Sequence, residues 1–220
     1  MGKTILDWQI QSLRAAGISD IHVVTGYRSE NINRPDIGKI HNPDWASTNM
    51  IQSLLTAAKL IIGPTIVSYS DILYGSDTVD ALASTPTDWT VAYDTNWLQL
   101  WRARFDNPLE DAETFRISPE GLITDIGGKT DKVEDIQGQY IGLNLLTPLA
   151  MGWIREVVDA LPLEKAARLD MTSLMSLLID RGYPLHGAPI SFGWCEIDTP
   201  RDLKVGRSLL QNRRIGDLAP

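Results

Sequence analysis

Short β-branched runs alternate with amphipathic helical stretches along this chain, and that alternation restricts the fold more than any other feature. Leu6, Ile10 and Leu13 fall at helical spacing, so a helix is expected over about 4–16, closed by Gly17. Ile21-His22-Val23-Val24-Thr25 follows as a short strand ended by Gly26, and Ile40-His41-Asn42 reads as another, stopped by Pro43. A second helix is expected over about 47–60, then a continuous strand from Thr65 to Asp71. The middle third reads as strands around 90–93, 112–117, 121–126 and 140–146, with Ser118-Pro119-Glu120-Gly121 as a hairpin turn. Helices carrying Leu149, Trp153, Val157 and then Leu174, Leu177, Leu178 follow. Trp194 to Asp198 forms a last strand, and Thr199-Pro200 with Asp202 is a strong helix start. This order predicts a single α/β domain over 1–220. It has a mostly parallel, doubly wound, Rossmann-like sheet and an antiparallel insertion at roughly 89–147.

Composition excludes several classes. Charged residues make up 22% and hydrophobic residues 43%, which is ordinary globular usage. The formal charge of −8 argues against general nucleic-acid binding, which needs a basic stripe. It is compatible with a phosphorylated ligand brought in with a divalent cation. The lone Cys195 excludes a disulfide framework and suits a reducing compartment. No apolar run approaches the ~20 residues of a membrane span, and the N-terminus has no signal-peptide core. A cytoplasmic protein is expected, and a homodimer is compatible with the sequence.

Chemistry concentrates at two strand ends. Ligands of open α/β sheets bind beyond the carboxyl edge of the strands. Asp71 and Asp198 each end a strand there, and two carboxylates could share one Mg²⁺ with a substrate phosphate. Each also suits a turn or a helix cap, the bland alternative. His22, His41 and His186 lack ligand spacing, so zinc is not expected, and no Gly-x-Ser-x-Gly elbow occurs. Neither common phosphate-loop glycine pattern is present, and Gly127-Gly128-Lys129 is the nearest approach. Trp89, Tyr93, Trp97 and Trp101 recur every four residues near several acids, as a packing seam or an aromatic pocket for an amine.

The segments Gly2 to Gln9 and Ala16 to Tyr27 resemble the NTP-transferase superfamily, the sugar-phosphate and phosphocholine nucleotidyltransferases. Asn42, Thr48 to Leu54, Ser70 to Tyr74 and Trp194 to Asp198 follow in the family's order, and the later motifs are most similar to the phosphocholine cytidylyltransferase-like branch. The resemblance implies that a nucleoside triphosphate, CTP by branch, reacts with a small phosphorylated substrate such as phosphocholine, an aminoalkylphosphonate or a sugar-1-phosphate. It implies Asp71 and Asp198 as Mg²⁺ ligands and Lys129 as the group meeting the substrate phosphate. Asn49, Ser53 and Gly26 would lie beside the nucleotide, and Trp97, Trp101, Tyr140 and Glu113 would border the substrate pocket.

The family's opening strand, glycine-rich loop with an arginine, and Pro-Lys would precede Gly2. A start placed too late or a shortened chain is the expected explanation, ahead of a degenerate protein that has lost catalysis. Without that strand, unpaired strand edges are expected. A non-catalytic nucleotide- or partner-binding module is the alternative reading. A glycosyltransferase is disfavoured because Ser68, Ser70 and Asp71 stand where Asp-x-Asp would be expected.

Overall fold

A capping box starts the first helix, α1 (Ile5–Ala15): Thr4 accepts the Asp7 backbone N–H, and Asp7 accepts that of Thr4. The structure, a computed structural model, describes every residue except Met1, Pro86, Arg213, Asp217, Ala219 and Pro220. Strands β1 (His22–Thr25) and β2 (Gly38–His41) pair in parallel. Helix α2 (Met50–Thr56) is shorter than the spacing predicts. Asn49 caps it through the Met50 N–H, while Ser47 and Thr48 are tied back to the Asp44 carbonyl. A 3-10 turn, Ala58–Leu60, replaces its last turn.

Strand β3 (Thr65–Ser68) stops short of Asp71, and β4 (Ile72–Tyr74) begins just after it. Next come α3 (Ser76–Ala83), β5 (Trp89–Asp94), α4 (Trp97–Arg104) and the hairpin β6 (Phe115–Ile117) with β7 (Ile123–Ile126). Strand β8 (Gln139–Leu146) leads into α5 (Pro148–Asp159), α6 (Leu163–Arg168) and α7 (Met171–Asp180). Strands β9 (His186–Ile190) and β10 (Trp194–Glu196) precede α8 (Pro200–Gln211), which opens on a second capping box between Thr199 and Asp202.

The central sheet has the order β3-β8-β5-β9. Strand β8 is antiparallel to β3 and β5, and β9 is parallel to β5, so three of the four strands run one way. Strands β4 and β10 form a separate antiparallel pair. The architecture is the open α/β, Rossmann-like arrangement expected from the alternation, with β6–β7 as the antiparallel hairpin. Among the described residues, β1 pairs only with β2 and β3 only with β8.

The period of two along β5 and β8 divides the core. Trp89, Val91 and Tyr93 face α2, α5 and α7, where they meet Ile51, Ile154 and Leu174. Ile141, Leu143 and Leu145 face the other layer, with Val79 and Leu82 of α3 and Leu100 of α4. Fully buried side chains of this kind contribute about 1.5–3 kcal/mol each, so these two layers hold the strand ends in register. Among the described residues, no helix is long and apolar enough to cross a membrane.

Candidate active site

Two hydrogen bonds from α1 fix the position of Asp71. The buried Gln9 side chain donates from Nε2 to the Tyr69 carbonyl (2.7 Å) and to the Ile72 carbonyl (2.8 Å), bracketing the crossing from β3 to β4. The Asp71 carbonyl accepts the Ile197 N–H at 2.8 Å. That bond sets Asp71 against the end of β10, next to Asp198, so the two carboxylates singled out from the sequence come together. Asp71 is not the last residue of a strand, as the apolar run predicts. It sits in the joint where the chain leaves the central sheet for the β4–β10 pair, because Gln9 takes up the carbonyls of Tyr69 and Ile72 and the Ile197 N–H takes up its own.

Asp71 carries a buried Oδ1 with no hydrogen-bond partner among the described residues. Burial pushes its carboxyl above the usual range, and nearby Asp198 adds to this while Arg104 opposes it. Asp198 is half exposed. Its backbone N–H is taken by Asp202 Oδ2 at 3.2 Å.

Arg104, the last residue of α4, holds the rest of the cluster. Its side chain is fully buried, with Nε donating to Asp202 Oδ1 (2.9 Å) and Nη2 to Asp198 Oδ2 (3.2 Å). Nη1 lies 2.9 Å from Glu196 Oε2, an ion pair in which the N–H is not aligned well enough for a hydrogen bond. Burial by itself would lower the Arg104 pKa; Asp202 and Glu196 outweigh that and keep it charged. Asp202 is also buried, but the bonds from Arg104 and Thr199 overcome burial and hold it below the usual carboxylate range. Glu196 goes the other way. Burial, with Asp198 and Asp71 adding to it, pushes its carboxyl up to about 7 against the pull of Arg104.

A second group of side chains lies toward the β6–β7 hairpin. Lys129 donates from Nζ to the Asp111 carbonyl at 3.1 Å. Glu113 is half buried. Burial raises its carboxyl and Lys129 opposes the rise. Gln139 braces this stretch by accepting the Glu113 N–H and donating to its carbonyl. Tyr140 Oη accepts from Asn144 at 2.6 Å, and its ring meets Tyr69 edge-on at 5.6 Å. Tyr69 and Tyr140 feel the Asp71 charge, so this pair of rings lies toward the carboxylates.

Asn49, Ser53 and Gly26 form a third group around the start of α2. The Asn49 N–H donates to the Ala167 carbonyl, and Ser53 Oγ accepts from Asn42. Gly26 admits the Trp45 ring, since a Cβ there would stand 2.6 Å from it. Asn49 and Ser53 thus tie the start of α2 to α6 and to Asn42, just after β2.

The expectation that Trp97 and Trp101 border a substrate pocket is corrected by the fold. Both are 3% exposed and pack edge-on at 5.9 Å, with Trp101 also against Trp194. Their indole N–H groups are satisfied by the Ile136 carbonyl and by Asp111. Helix α4 turns its aromatic face inward, where burial of large rings is most favourable.

Arg104, Glu196 and Gln9 escaped the sequence reading. Glu196, the last residue of β10, stands two residues before Asp198 and shares Arg104 with it. Nothing local singles out Arg104 or Gln9, whose partners are about sixty to a hundred residues away. Among the described residues, no group of three or more His, Cys, Asp or Glu forms a metal cage. A cavity of about 640 Å³ between α4, α8 and the β9–β10 turn is lined by Asp94, Leu100, Phe192, Trp194 and Leu209. It includes neither Asp71 nor Asp198, so the carboxylates, not the cavity, define the site.

No family model matches the chain. Among curated proteins it is 31% identical over 220 residues to the CTP:phosphoglutamine cytidylyltransferase of Campylobacter jejuni, covering 92% of this chain and 87% of that protein. Among solved structures, the inositol-1-phosphate CTP transferase from T. maritima superimposes with a TM-score of 0.72 at 15% identity, covering 94% of this chain and 82% of that one. The CTP:phosphocholine cytidylyltransferase from Streptococcus pneumoniae gives 0.67 at 16%, covering 96% and 86%. At such identities these two structures speak for the fold.

Proposed function

This chain belongs to the NTP-transferase superfamily of nucleotidyltransferases, and from that premise we propose that it transfers a cytidylyl group from CTP to a small phosphorylated substrate, releasing pyrophosphate. The observation that carries the reading is the likeness to a cytidylyltransferase along nearly the whole chain. The convergence of Asp71 and Asp198 at one sheet edge supports it.

The reaction is an in-line attack by a substrate phosphate oxygen on the α-phosphorus of CTP, with pyrophosphate leaving. It needs positioning and charge neutralisation more than a protein nucleophile. We assign the cation site to Asp71 and Asp198. The donor set fits Mg²⁺, which takes one or two carboxylates and fills its remaining positions with water and phosphate oxygens. The buried Asp71 Oδ1 is a lone-pair donor with no hydrogen-bond partner among the described residues, as a cation ligand would be. When bound, the metal would offset repulsion between the two phosphorylated reactants.

The chain's own groups then divide the work. Gln9 and the Ile197 N–H hold Asp71 in place. Lys129 meets the attacking phosphate as a point charge, steadied by the Asp111 carbonyl. Tyr140 and Glu113 border the acceptor. Asn49, Ser53 and Gly26 shape the nucleotide side through the backbone of β1 and α2.

The test is pyrophosphate release in Mg²⁺ with each of CTP, UTP, ATP and GTP against phosphoglutamine, phosphocholine, inositol-1-phosphate and glucose-1-phosphate. Release with CTP and one acceptor is expected. Silence with all sixteen pairs overturns the reading.

A further inference from the structure

We propose that Arg104 is a positioning residue that presents the Asp198 carboxylate to Asp71, and so sets the cation affinity of the pair. The inference rests on the assignment of Asp71 and Asp198 as cation ligands.

The geometry is a relay with Asp202 at its root. Asp202 is 1% exposed, and its two oxygens do different work. Oδ2 takes the backbone N–H groups of Asp198 (3.2 Å) and Thr199 (2.9 Å), fixing the chain where Asp198 stands. Oδ1 takes Arg104 Nε at 2.9 Å. The Arg104 guanidinium is held again by Glu196 and lies against the rings of Trp101 and Phe105, at 5.2 and 5.0 Å. With two of its edges fixed, its third nitrogen, Nη2, reaches the Asp198 carboxylate. One buried aspartate thus sets both the backbone and the side chain of Asp198. The side chain would otherwise be free to rotate, since it is 49% exposed.

This task needs a planar fork. Three carboxylates lie around one guanidinium at 2.9, 2.9 and 3.2 Å, each facing a different nitrogen. A lysine ammonium is a single point and cannot span all three in these directions. Partners that orient a metal ligand from behind are typically worth 10–100-fold in metal affinity.

Arg104→Lys tests this because it keeps the charge and removes the fork. Mn²⁺ is titrated into wild-type protein and variants without nucleotide, and uptake is followed by loss of the free-Mn²⁺ EPR signal. Thermal unfolding and steady-state kinetics are measured on the same samples. Arg104→Lys is expected to unfold cooperatively, to bind Mn²⁺ 10–100-fold more weakly, and to raise the Mg²⁺ concentration for half-maximal rate while leaving the CTP KM within a few-fold. Asp202→Asn, which weakens the root of the relay while leaving both carboxylates of the pair in the sequence, is expected to weaken Mn²⁺ binding in the same direction. It decides the matter if Arg104→Lys fails to fold.

Mn²⁺ affinity within twofold of wild type in the folded variant, with binding abolished in Asp71→Asn, overturns the positioning role and leaves the cation pair standing. Absence of Mn²⁺ uptake by wild-type protein, or wild-type uptake by Asp71→Asn, overturns the cation assignment and this proposal with it.

Discussion

Asn144 lies at the middle of β8 with no exposed surface, and replacing it alone and together with Trp89 isolates the worth of one of its two hydrogen bonds. Its Oδ1 accepts from Trp89 Nε1 at 3.1 Å and its Nδ2 donates to Tyr140 Oη at 2.6 Å. Asn144→Leu is close to isosteric, so it opens little cavity. It leaves the Trp89 N–H, also fully buried, without an acceptor. An orphaned buried donor costs about 1–3 kcal/mol. Taking about 2 kcal/mol, a domain of this size loses roughly 4–8 °C in Tm. Trp89→Phe deletes the same donor and leaves Asn144 short of a partner, with an added packing loss. In the double variant neither group is orphaned. The two single costs should therefore exceed the double cost by about 1–2 kcal/mol, measured by urea unfolding of the four proteins with circular dichroism as the probe. Additivity within about 0.5 kcal/mol would mean that this bond does not organise the core.

Other outcomes follow from the same geometry. Asp71→Asn should reduce turnover by at least ~100-fold while leaving Tm unchanged or higher, because it removes a charge that burial disfavours. A lower Tm together with retained activity would contradict this. Arg104→Met should cost about 3–5 kcal/mol in denaturant unfolding, since it strands Glu196, Asp198 and Asp202 beside one another; a cost below about 1 kcal/mol refutes the clamp. Because the folded-state pKa of Glu196 is raised to about 7, its contribution is fully present below its ordinary value and is lost as pH climbs through 7. Urea midpoints should fall between pH 5 and pH 8 by an amount worth about 1–2 kcal/mol, and Glu196→Gln should flatten that slope; an unchanged slope removes Glu196 as its source. Gly142→Ala should destabilise measurably, because φ there is +82° and a Cβ would come within 2.8 Å of the Tyr69 ring; calorimetry showing an unchanged Tm contradicts the close approach.

What could be read from the sequence was local. The helix start at Thr199 and the β6–β7 hairpin are each written within a few consecutive residues, and each lies where the sequence places it, whereas Asp71 and Asp198 fall just outside the strands they are expected to end. The late start of α2 goes with the bonds of Ser47 and Thr48 to the Asp44 carbonyl, and the break between β3 and β4 with bonds from Gln9, some sixty residues away, which no short window contains. Helix α3 and strand β9 gave no clear period. Trp97 and Trp101 show the limit from the other side: an aromatic repeat at helical spacing fits a pocket and a core equally well, and only the position of Trp194 decides for the core. The same holds for Arg104, an unremarked arginine at a helix end until α8 is folded against it.

Arg104 and Asp202 are 98 residues apart, and Asp94 and Trp194 are 100 apart. That separation orders events during synthesis. The central strands β3, β5 and β8 are complete once residue 146 has emerged, yet Arg104 has none of its three carboxylates until the stretch around 194–202 follows. A nascent chain thus spends a long interval with its layered core buildable and a guanidinium stranded among aromatic rings. Non-local closure of this kind is slow relative to local helix formation. The edge that carries Asp71 and Asp198 therefore cannot be completed until the stretch around 194–202 has been made, and under the proposed assignment no cation could be held there before then.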